Sequence, residues 1–489
     1  MDKRIEAHAR PAIAWHLPPF PLLVALLAYA IVLFTPAVLN DADTYWHVAS
    51  GDWILDHRAV PLSDPFSFTV PGRTWVAHEW LAEVLMSLAY RAGGWSALVI
   101  LFGVAAATTI GALAHYLARW MKQPAAMITL VLAAACVSPS LLARPHLLAL
   151  PLLTLWTIGL LTATERKTAP PLYLLPLMTI WANLHGSFVL GLVLVPPLAL
   201  DALLAARRDA TPGNAWRDDA MRIVRGWSLF LVSAVAATLL TPHGWHGLFN
   251  PFQLMSLQHN ASIGEWHPLN LLTLQPLEPA LAALLYVVVT RRMRVPAVRM
   301  LMLLGLLYLA YRHSRHQMVA GIVGAALLAE PLGRAFGASA PSPAGRRAPL
   351  PGFVAVLVCA MLLAALRFAH PIVRGDGPVS PVTAVAAVPA PLLDQPVFNS
   401  YEFGGYLIFR HVKPFVDGRA DMYGDAFMFA YIDALKPDRA VFDRLVAQYR
   451  IRWALLATGS AVAQMVATLP GWRRIHTDNI ATVFVRDGP

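Results

Sequence analysis

The feature that most restricts this chain is its succession of apolar runs. The first spans Leu17–Leu39, and others lie at 125–138, 146–163, 171–184, 187–206, 222–240, 271–290, 297–312, 316–333 and 351–369. In hydrocarbon every backbone N–H and C=O must be satisfied within the segment, so such runs read as membrane-crossing helices. Glu79–Tyr90 is apolar but too short to cross alone, whereas Trp95–Ala118 is long enough. The pair reads as one crossing with a tilted or interfacial lead-in, two separate crossings being the alternative. That makes eleven crossings. Prolines such as Pro151, Pro176, Pro196 and Pro197 interrupt several runs, so those helices need shelter from neighbours. The runs do not alternate with polar residues, which excludes barrel strands. The chain is 57% hydrophobic and 13% charged, where soluble proteins carry about a quarter charged residues. The expected class is a polytopic α-helical membrane protein.

A net charge of +10 invites a nucleic-acid partner, but the positions of the basic residues argue against one. Loops assigned to the cytoplasm hold 19 Lys and Arg; outer loops before residue 350 hold 5. That asymmetry is a topology signal. It places the N-terminus, with Lys3, Arg4 and Arg10, in the cytoplasm, and an odd number of crossings sends the C-terminus outside. No short cleavable signal is expected, and the first run is long enough to remain as an anchor. Cys136 and Cys359 both fall in apolar runs and read as buried small hydrophobes.

Composition shifts near His370. The expected division is a membrane domain over 1–369, a linker over 370–395 and a small soluble α/β domain over 396–489. In the last part Val397-Phe398, Tyr406–Phe409, Trp453–Ala457 and Ala481–Val485 read as strands, and Asp438–Tyr449 and Ser460–Leu469 as helices.

The first outer loop, 40–78, opens with Asn40-Asp41-Ala42-Asp43-Thr44-Tyr45-Trp46-His47. Tyr45, Val48, Ala49, Trp53 and Ile54 recur near helical spacing, with Asn40 or Asp41 as N-cap. Pro61, Asp64-Pro65 and Pro71-Gly72 break the remainder into turns. Trp46, Trp53, Trp75 and Trp80 suit a segment lying at the membrane interface.

Polar residues of unusual kind collect on the outer side. Asp41 and Asp43 stand just beyond the first run, where a carboxylate can act as a general base, ligate a divalent metal or cap a helix. Arg312, Arg315 and His316 lie between two apolar runs, and arginine forks suit phosphate. His47, His78, Glu79, Arg144, His146, Asn183, His185 and Glu265 share the same face and are expected around a substrate. No pair has the spacing of a zinc site. In the C-terminal part, Tyr401–Tyr406 and Asp417-Gly418-Arg419-Ala420-Asp421-Met422-Tyr423-Gly424 read as turns between strands, with Asp417 and Arg419 either a turn scaffold or a substrate contact.

With these residues in view, the chain resembles the GT-C superfamily of membrane glycosyltransferases, which includes protein O-mannosyltransferases and lipid A aminoarabinose transferases. The matching features are the acid pair after the first span, a long first outer loop, about eleven spans and a C-terminal outer domain. Asp43-Thr-Tyr-Trp-His47, Asp64-Pro-Phe-Ser-Phe-Thr69, His78-Glu-Trp-Leu81, Trp181-Ala-Asn-Leu-His-Gly186 and Asp417–Gly424 resemble a bacterial branch of largely unassigned substrate. The resemblance implies a polyprenyl-phosphate-linked sugar donor, inverting transfer outside the cytoplasm to a glycan, lipid or protein acceptor, and a site at the outer face of the bacterial inner membrane. It makes one of Asp41 and Asp43 the base, Asp43 being favoured because Asp41 is available as a cap. Arg312 or Arg315 would meet the donor phosphate. Metal use varies within the superfamily; Mg or Mn, where used, would fall to Asp41 and Asp43. Other classes are a flippase or transporter for a lipid-linked glycan, which would need charges at mid-span, and a non-catalytic scaffold of envelope glycan assembly.

Overall fold

The computed structural model describes residues 18–209, 215–262, 264–338, 340–341 and 350–487. The basic flank with Lys3, Arg4 and Arg10 lies outside the described residues. The membrane part is built from α1 (Phe20–Phe34), α2 (Asp43–His57), α3 (Trp80–Trp120), α4 (Gln123–Val137), α5 (Pro145–Arg166), α6 (Leu175–Leu184), α7 (Phe188–Arg208), α8 (Ala215–Thr238), α9 (Trp245–Ser256), α10 (Leu277–Arg291), α11 (Ala297–Arg312), α12 (Gln317–Ala335) and α13 (Leu350–Ala369). Among the described residues seven helices are long and apolar enough to cross a membrane: Trp80–Trp120, Gln123–Ser140, Pro145–Arg166, Phe188–Arg208, Trp216–Thr238, Ser314–Ala335 and Leu350–Ala369. The chain is a multi-pass membrane protein. Helices α1, α6, α10 and α11 are shorter, with 15, 10, 15 and 16 residues.

The segment Trp80–Trp120 consists of two helical stretches joined at a kink, where Gly93 and Gly94 leave helical geometry. Gly94 has φ of 60° and ψ of −148°, a conformation that needs glycine. Small residues let the helices approach closely. Added to Gly321 of α12, a Cβ would lie 2.6 Å from Cys136 Cβ of α4; at Gly51 of α2 it would overlap the Glu83 carbonyl of α3. Cys136 is buried as expected, whereas Cys359 is exposed on α13, whose outward face has no protein neighbour. At the end of the bundle away from Asp43, Arg299 of α11 bonds Asp201 of α7 at 2.8 Å and Glu330 of α12 at 3.0 Å. Arg299 and Asp201 are 4% and 2% exposed. A charge pair this dry ties three helices together.

Beyond α13 the stretch expected as a linker is packed. It carries α14 (Val382–Ala386) and α15 (Ala390–Leu393), and Ala384, Val385 and Val388 are buried in the main core. Then follow β1 (Val397–Asn399), α16 (Gly404–Phe409), α17 (Ala420–Leu435), α18 (Arg439–Gln448), β2 (Trp453–Ala457), α19 (Ala461–Val466), β3 (Trp472–Thr477) and β4 (Ala481–Arg486). The sheet order is β1-β2-β4-β3, with β1 parallel to β2 and the other pairs antiparallel. Tyr406–Phe409 is helical, not a strand: Gly404 and Gly405 press against Asp417 and the Ala42 carbonyl, and the following Tyr-Leu-Ile run is buried on all sides as one turn of helix. Residues Tyr401–Phe403 form a 3₁₀ turn and Asp417-Gly418-Arg419 leads into α17, so neither stretch joins two strands.

The first outer loop and the C-terminal sheet share one core. Trp46 and Trp75 are 6% and 4% exposed and pack with Phe398, Phe415 and Tyr423. They are core residues here, which corrects their reading as interface anchors. Arg419 rivets the two parts. Its guanidinium donates to Asp417 at 2.8 Å and to Asp64 of the first loop at 2.7 Å. The faces of Phe66 and Trp75 sandwich it at 5.0 and 4.9 Å. Asp417 also accepts from Tyr423 Oη at 2.6 Å, and Asp64 accepts from the Phe66 N–H at 2.9 Å and from the Ser67 N–H and hydroxyl. Burial would raise the Asp417 carboxyl, but Arg419 and these donors hold it below the usual carboxylate range. Arg419→Met keeps the bulk and strands two buried carboxylates. It should cost about 3–5 kcal/mol, read as a drop in the unfolding midpoint and as new protease cleavage within 58–76.

Candidate active site

The site is built where α2 begins. The N-cap of α2 is Ala42, not Asn40 or Asp41 as expected; Asp41, one residue earlier, accepts the Asp43 N–H on its Oδ1 at 2.8 Å and so satisfies a first-turn donor. That fixes the start of α2 and points the Asp43 side chain back over the turn. Trp46, one turn on, donates its Nε1–H to Asp43 Oδ1 at 2.9 Å. Arg144 forms an ion pair with Asp43, Nη2 to Oδ2 at 2.7 Å, and approaches Asp41 Oδ2 at 3.6 Å. Its backbone is extended ahead of Pro145, as a residue before proline prefers. The preceding residue is stitched to the first loop: the Ala143 N–H donates to the Val38 carbonyl at 2.7 Å, and Thr44 Oγ1 donates to the Ala143 carbonyl at 3.0 Å.

Glu265 completes the cluster. Arg144 Nη1 meets Glu265 Oε2 at 2.9 Å and Arg315 Nη1 meets Oε1 at 3.1 Å. Arg315 lies 4.9 Å over the Trp266 ring. Gly418 seals the other side: a Cβ there would overlap Asp43 Oδ1 and stand 2.7 Å from Trp46 Nε1. Only glycine lets the 417–419 backbone come this close.

Electrostatics follow from this packing. Burial pushes the Asp43 carboxyl up to about 7; Arg144 and the Trp46 hydrogen bond oppose the rise, and the charges on Asp41 and Glu265 add to it. Glu265 shows the reverse balance. Burial would raise it, yet Arg144 and Arg315 hold it at about 2. One carboxyl of the cluster is thus poised near neutrality while its neighbour stays charged.

Behind the acid cluster lies a second polar group. Glu79 is 3.8 Å from His47 Nε2, 3.8 Å from His78 Nε2 and 3.5 Å from His185 Nε2. The His146 ring is 6.2 Å from that of His185, and its Nε2 faces the Ser140 carbonyl at 2.7 Å. Burial, reinforced by nearby cationic groups, lowers His47 and His185 well below the usual histidine range, so both are neutral imidazoles. Burial raises the Glu79 carboxyl.

Some expected site residues lie elsewhere. Arg312 is exposed and donates to Tyr308 Oη at 2.9 Å, pointing away because it closes α11 one residue before the chain turns. Arg315, three residues on, turns inward. His316 is half-buried beside it, its ring 5.7 Å from that of His313. Asn183 is a structural bridge: it accepts from Trp80 Nε1 at 2.7 Å and donates to the Thr179 and Leu240 carbonyls at 2.8 and 3.0 Å. Asp417 and Arg419 belong to the rivet, both buried and bonded to each other; Gly418 between them is what reaches the site.

Sequence reading missed Glu83, Asp64 and Trp266. Glu83 is buried, 3.5 Å from His47 Nδ1, and accepts from Ser50 Oγ at 2.7 Å. Its signal was a lone carboxylate four residues after Glu79, on the same helix face. Asp64 and Trp266 had no signal beyond their motifs.

The residues present do not fit a divalent metal at Asp41 and Asp43. Asp43 Oδ1, one Asp41 oxygen and both Glu265 oxygens already accept from N–H groups, and Asp43 Oδ2 and the second Asp41 oxygen face the Arg144 guanidinium. The guanidinium of Arg144 lies where these carboxylates converge.

No protein-family model matches the sequence, and neither does any curated protein. Solved structures do match in fold. The archaeal oligosaccharyltransferase AglB from Archaeoglobus fulgidus, in complex with an inhibitory peptide and a dolichol-phosphate, aligns over 96% of this chain and 74% of its own, at 11% identity and a TM-score of 0.51. The apo form of the Archaeoglobus fulgidus oligosaccharyltransferase aligns over 89% and 69%, at 13% identity and a TM-score of 0.50. ArnT from Cupriavidus metallidurans aligns over 95% and 96% at 13% identity, but its TM-score of 0.34 carries no argument. The chain shares its fold with the Archaeoglobus fulgidus oligosaccharyltransferase.

Because Gly418 sets the floor under Asp43, Gly418→Ala should destabilise the protein by about 1–3 kcal/mol, the cost of overpacking. Thermal unfolding reads this, and Gly459→Ala, where an added Cβ meets nothing although φ is 79°, controls for backbone strain alone.

Proposed function

We propose that this protein is a membrane glycosyltransferase. It moves a sugar from a polyprenyl-phosphate-linked donor to an acceptor at the outer, periplasmic face of the bacterial inner membrane. In this reading the chain crosses eleven times, counting the four short helices, and its C-terminal part lies outside. The observation that carries the proposal is a single half-buried carboxyl, Asp43, raised to about 7 and ion-paired with Arg144, with Arg315 held beside it through Glu265. The fold shared with the oligosaccharyltransferase supports it. That relative is named as a complex with dolichol-phosphate, a lipid phosphate of the class proposed here as leaving group.

The acceptor hydroxyl attacks the anomeric carbon of the donor sugar. The new carbon–oxygen bond forms as the bond to the phosphate oxygen breaks, and the acceptor proton passes to Asp43. The polyprenyl phosphate leaves with the bonding pair. Arg315, and Arg144 through its remaining donors, face the charge that develops on that phosphate. Trp46 and Arg144 fix the direction of Asp43, and Gly418 closes the site beneath it. The neutral His47 and His185 and the Glu79 carboxyl offer hydrogen bonds of both senses to hydroxyls of the sugar or acceptor.

Asp43→Asn should cut transfer from a polyprenyl-phosphate sugar by about 10²–10⁴-fold, the range for a lost general base. Asp41→Asn, which keeps the Oδ1 acceptor for the Asp43 N–H and removes only a charge facing Arg144, should cost far less. Wild-type turnover by the Asp43→Asn enzyme would end the assignment. Asp43 must be ionised to accept a proton, so kcat/KM should fall as pH drops below about 7 and level off above it. Arg315→Ala should raise KM for the lipid-phosphate donor, whereas Arg312→Ala, altering an exposed side chain, should leave it unchanged.

A further inference from the structure

Asp41 and Asp43 come from the loop after α1, and Glu265 from the loop before α10. Residues so far apart in sequence converge on one point, and that point is the guanidinium of Arg144. Three carboxylates drawn together out of bulk water repel one another and would take up protons unless a cation stood among them. Convergent carboxylates of this kind are the usual way to hold a divalent ion, which asks for six or more oxygens at about 2.0–2.6 Å. Here the cation is covalently part of the chain. Its planar fork is ion-paired with Asp43 at 2.7 Å and donates to Glu265 at 2.9 Å.

We propose that Arg144 is the resident cation of this site, built in where a divalent metal would otherwise be required, and that removing its charge turns Asp41, Asp43 and Glu265 into a divalent-cation site. The chain is organised to keep Arg144 there. Pro145 holds the Arg144 backbone extended, and the Ala143 N–H and carbonyl are tied to Val38 and Thr44, so the loop carrying Arg144 moves with the loop carrying the two aspartates. Arg315 neutralises the second oxygen of Glu265 and keeps that carboxylate turned toward Arg144. A guanidinium donates hydrogen bonds but accepts no ligands, so a substrate oxygen can meet this cation only through N–H groups. The site's charge then does not vary with metal supply.

The inference takes from the transfer reading only the identity of the site, and a cation titration tests it without any transfer assay. Full-length protein in detergent is stripped with EDTA and titrated with Mn²⁺, with free Mn²⁺ followed by electron paramagnetic resonance. Wild type and Arg144→Lys should take up no stoichiometric Mn²⁺. Arg144→Ala should gain one ion per chain, and the double variant Arg144→Ala/Asp43→Asn should lose it. Arg144→Gln, closer to the original side chain in size, replaces Arg144→Ala if the latter is not recovered folded. One Mn²⁺ bound by wild type and released by Asp43→Asn would overturn the proposal, as would a folded Arg144→Ala or Arg144→Gln protein that binds none. Either result leaves the role of Asp43 in transfer to be judged by its own assay.

Discussion

Charge balance around Arg144 is the constraint on which the outer half of this structure depends. Asp41, Asp43 and Glu265 are brought together away from bulk water, and their company is tolerable only because two guanidiniums stand among them. The surrounding elements serve that arrangement. Glycine at 51 lets α2 lie against α3, and glycine at 418 lets the C-terminal chain reach Asp43. The Ala143 and Val38 backbones are bonded so that arginine and aspartate loops form one unit.

The C-terminal part is therefore more than an appended domain. Trp46, which orients Asp43, is at the same time a core residue of the sheet region, packed with Phe398 and Phe415. Arg419 joins Asp417 of that region to Asp64 of the first loop with both carboxylates dry. A change that loosens the sheet region would reach Asp43 through Trp46 and Gly418, without touching any residue that meets a substrate.

Much of the membrane part was legible because hydrocarbon leaves few choices: long apolar runs become helices. The site was legible as a set of residue types on one face, but not as partners. Arg312 and Arg315 look alike in sequence. One stays with the last turn of α11 and points outward, while the other follows the chain reversal and turns in. Asn183 looked like a sugar contact because nothing local shows that Trp80 and two carbonyls claim its amide. In the C-terminal part Tyr406–Phe409 has the aromatic and β-branched look of a strand, yet burial on all sides carries no periodicity, and the preceding glycines favour a close helical turn. The tryptophans of the first loop misled for a related reason: an aromatic suits a membrane interface and a protein core equally well.

Three buried ionic clusters allow a comparison of structure with function. At the opposite end of the bundle Arg299 and Arg334 face Asp201 and Glu330, two charges against two. Around Arg419 one guanidinium faces two carboxylates, but the excess is absorbed by five further donors: the N–H groups of Phe66, Ser67 and Arg419 and the hydroxyls of Ser67 and Tyr423. The outer cluster has three carboxylates against two guanidiniums, and only the Asp43 N–H and Trp46 Nε1 as further donors. Of these three, it is the one whose excess of negative charge meets the fewest further donors. Such an excess costs stability, and a cluster needed only for stability would gain from losing it. A proton is the simplest way to relieve it, and Asp43, the carboxyl raised toward neutrality, is where that proton would bind. The imbalance that makes this cluster a poor lock makes it a good proton acceptor.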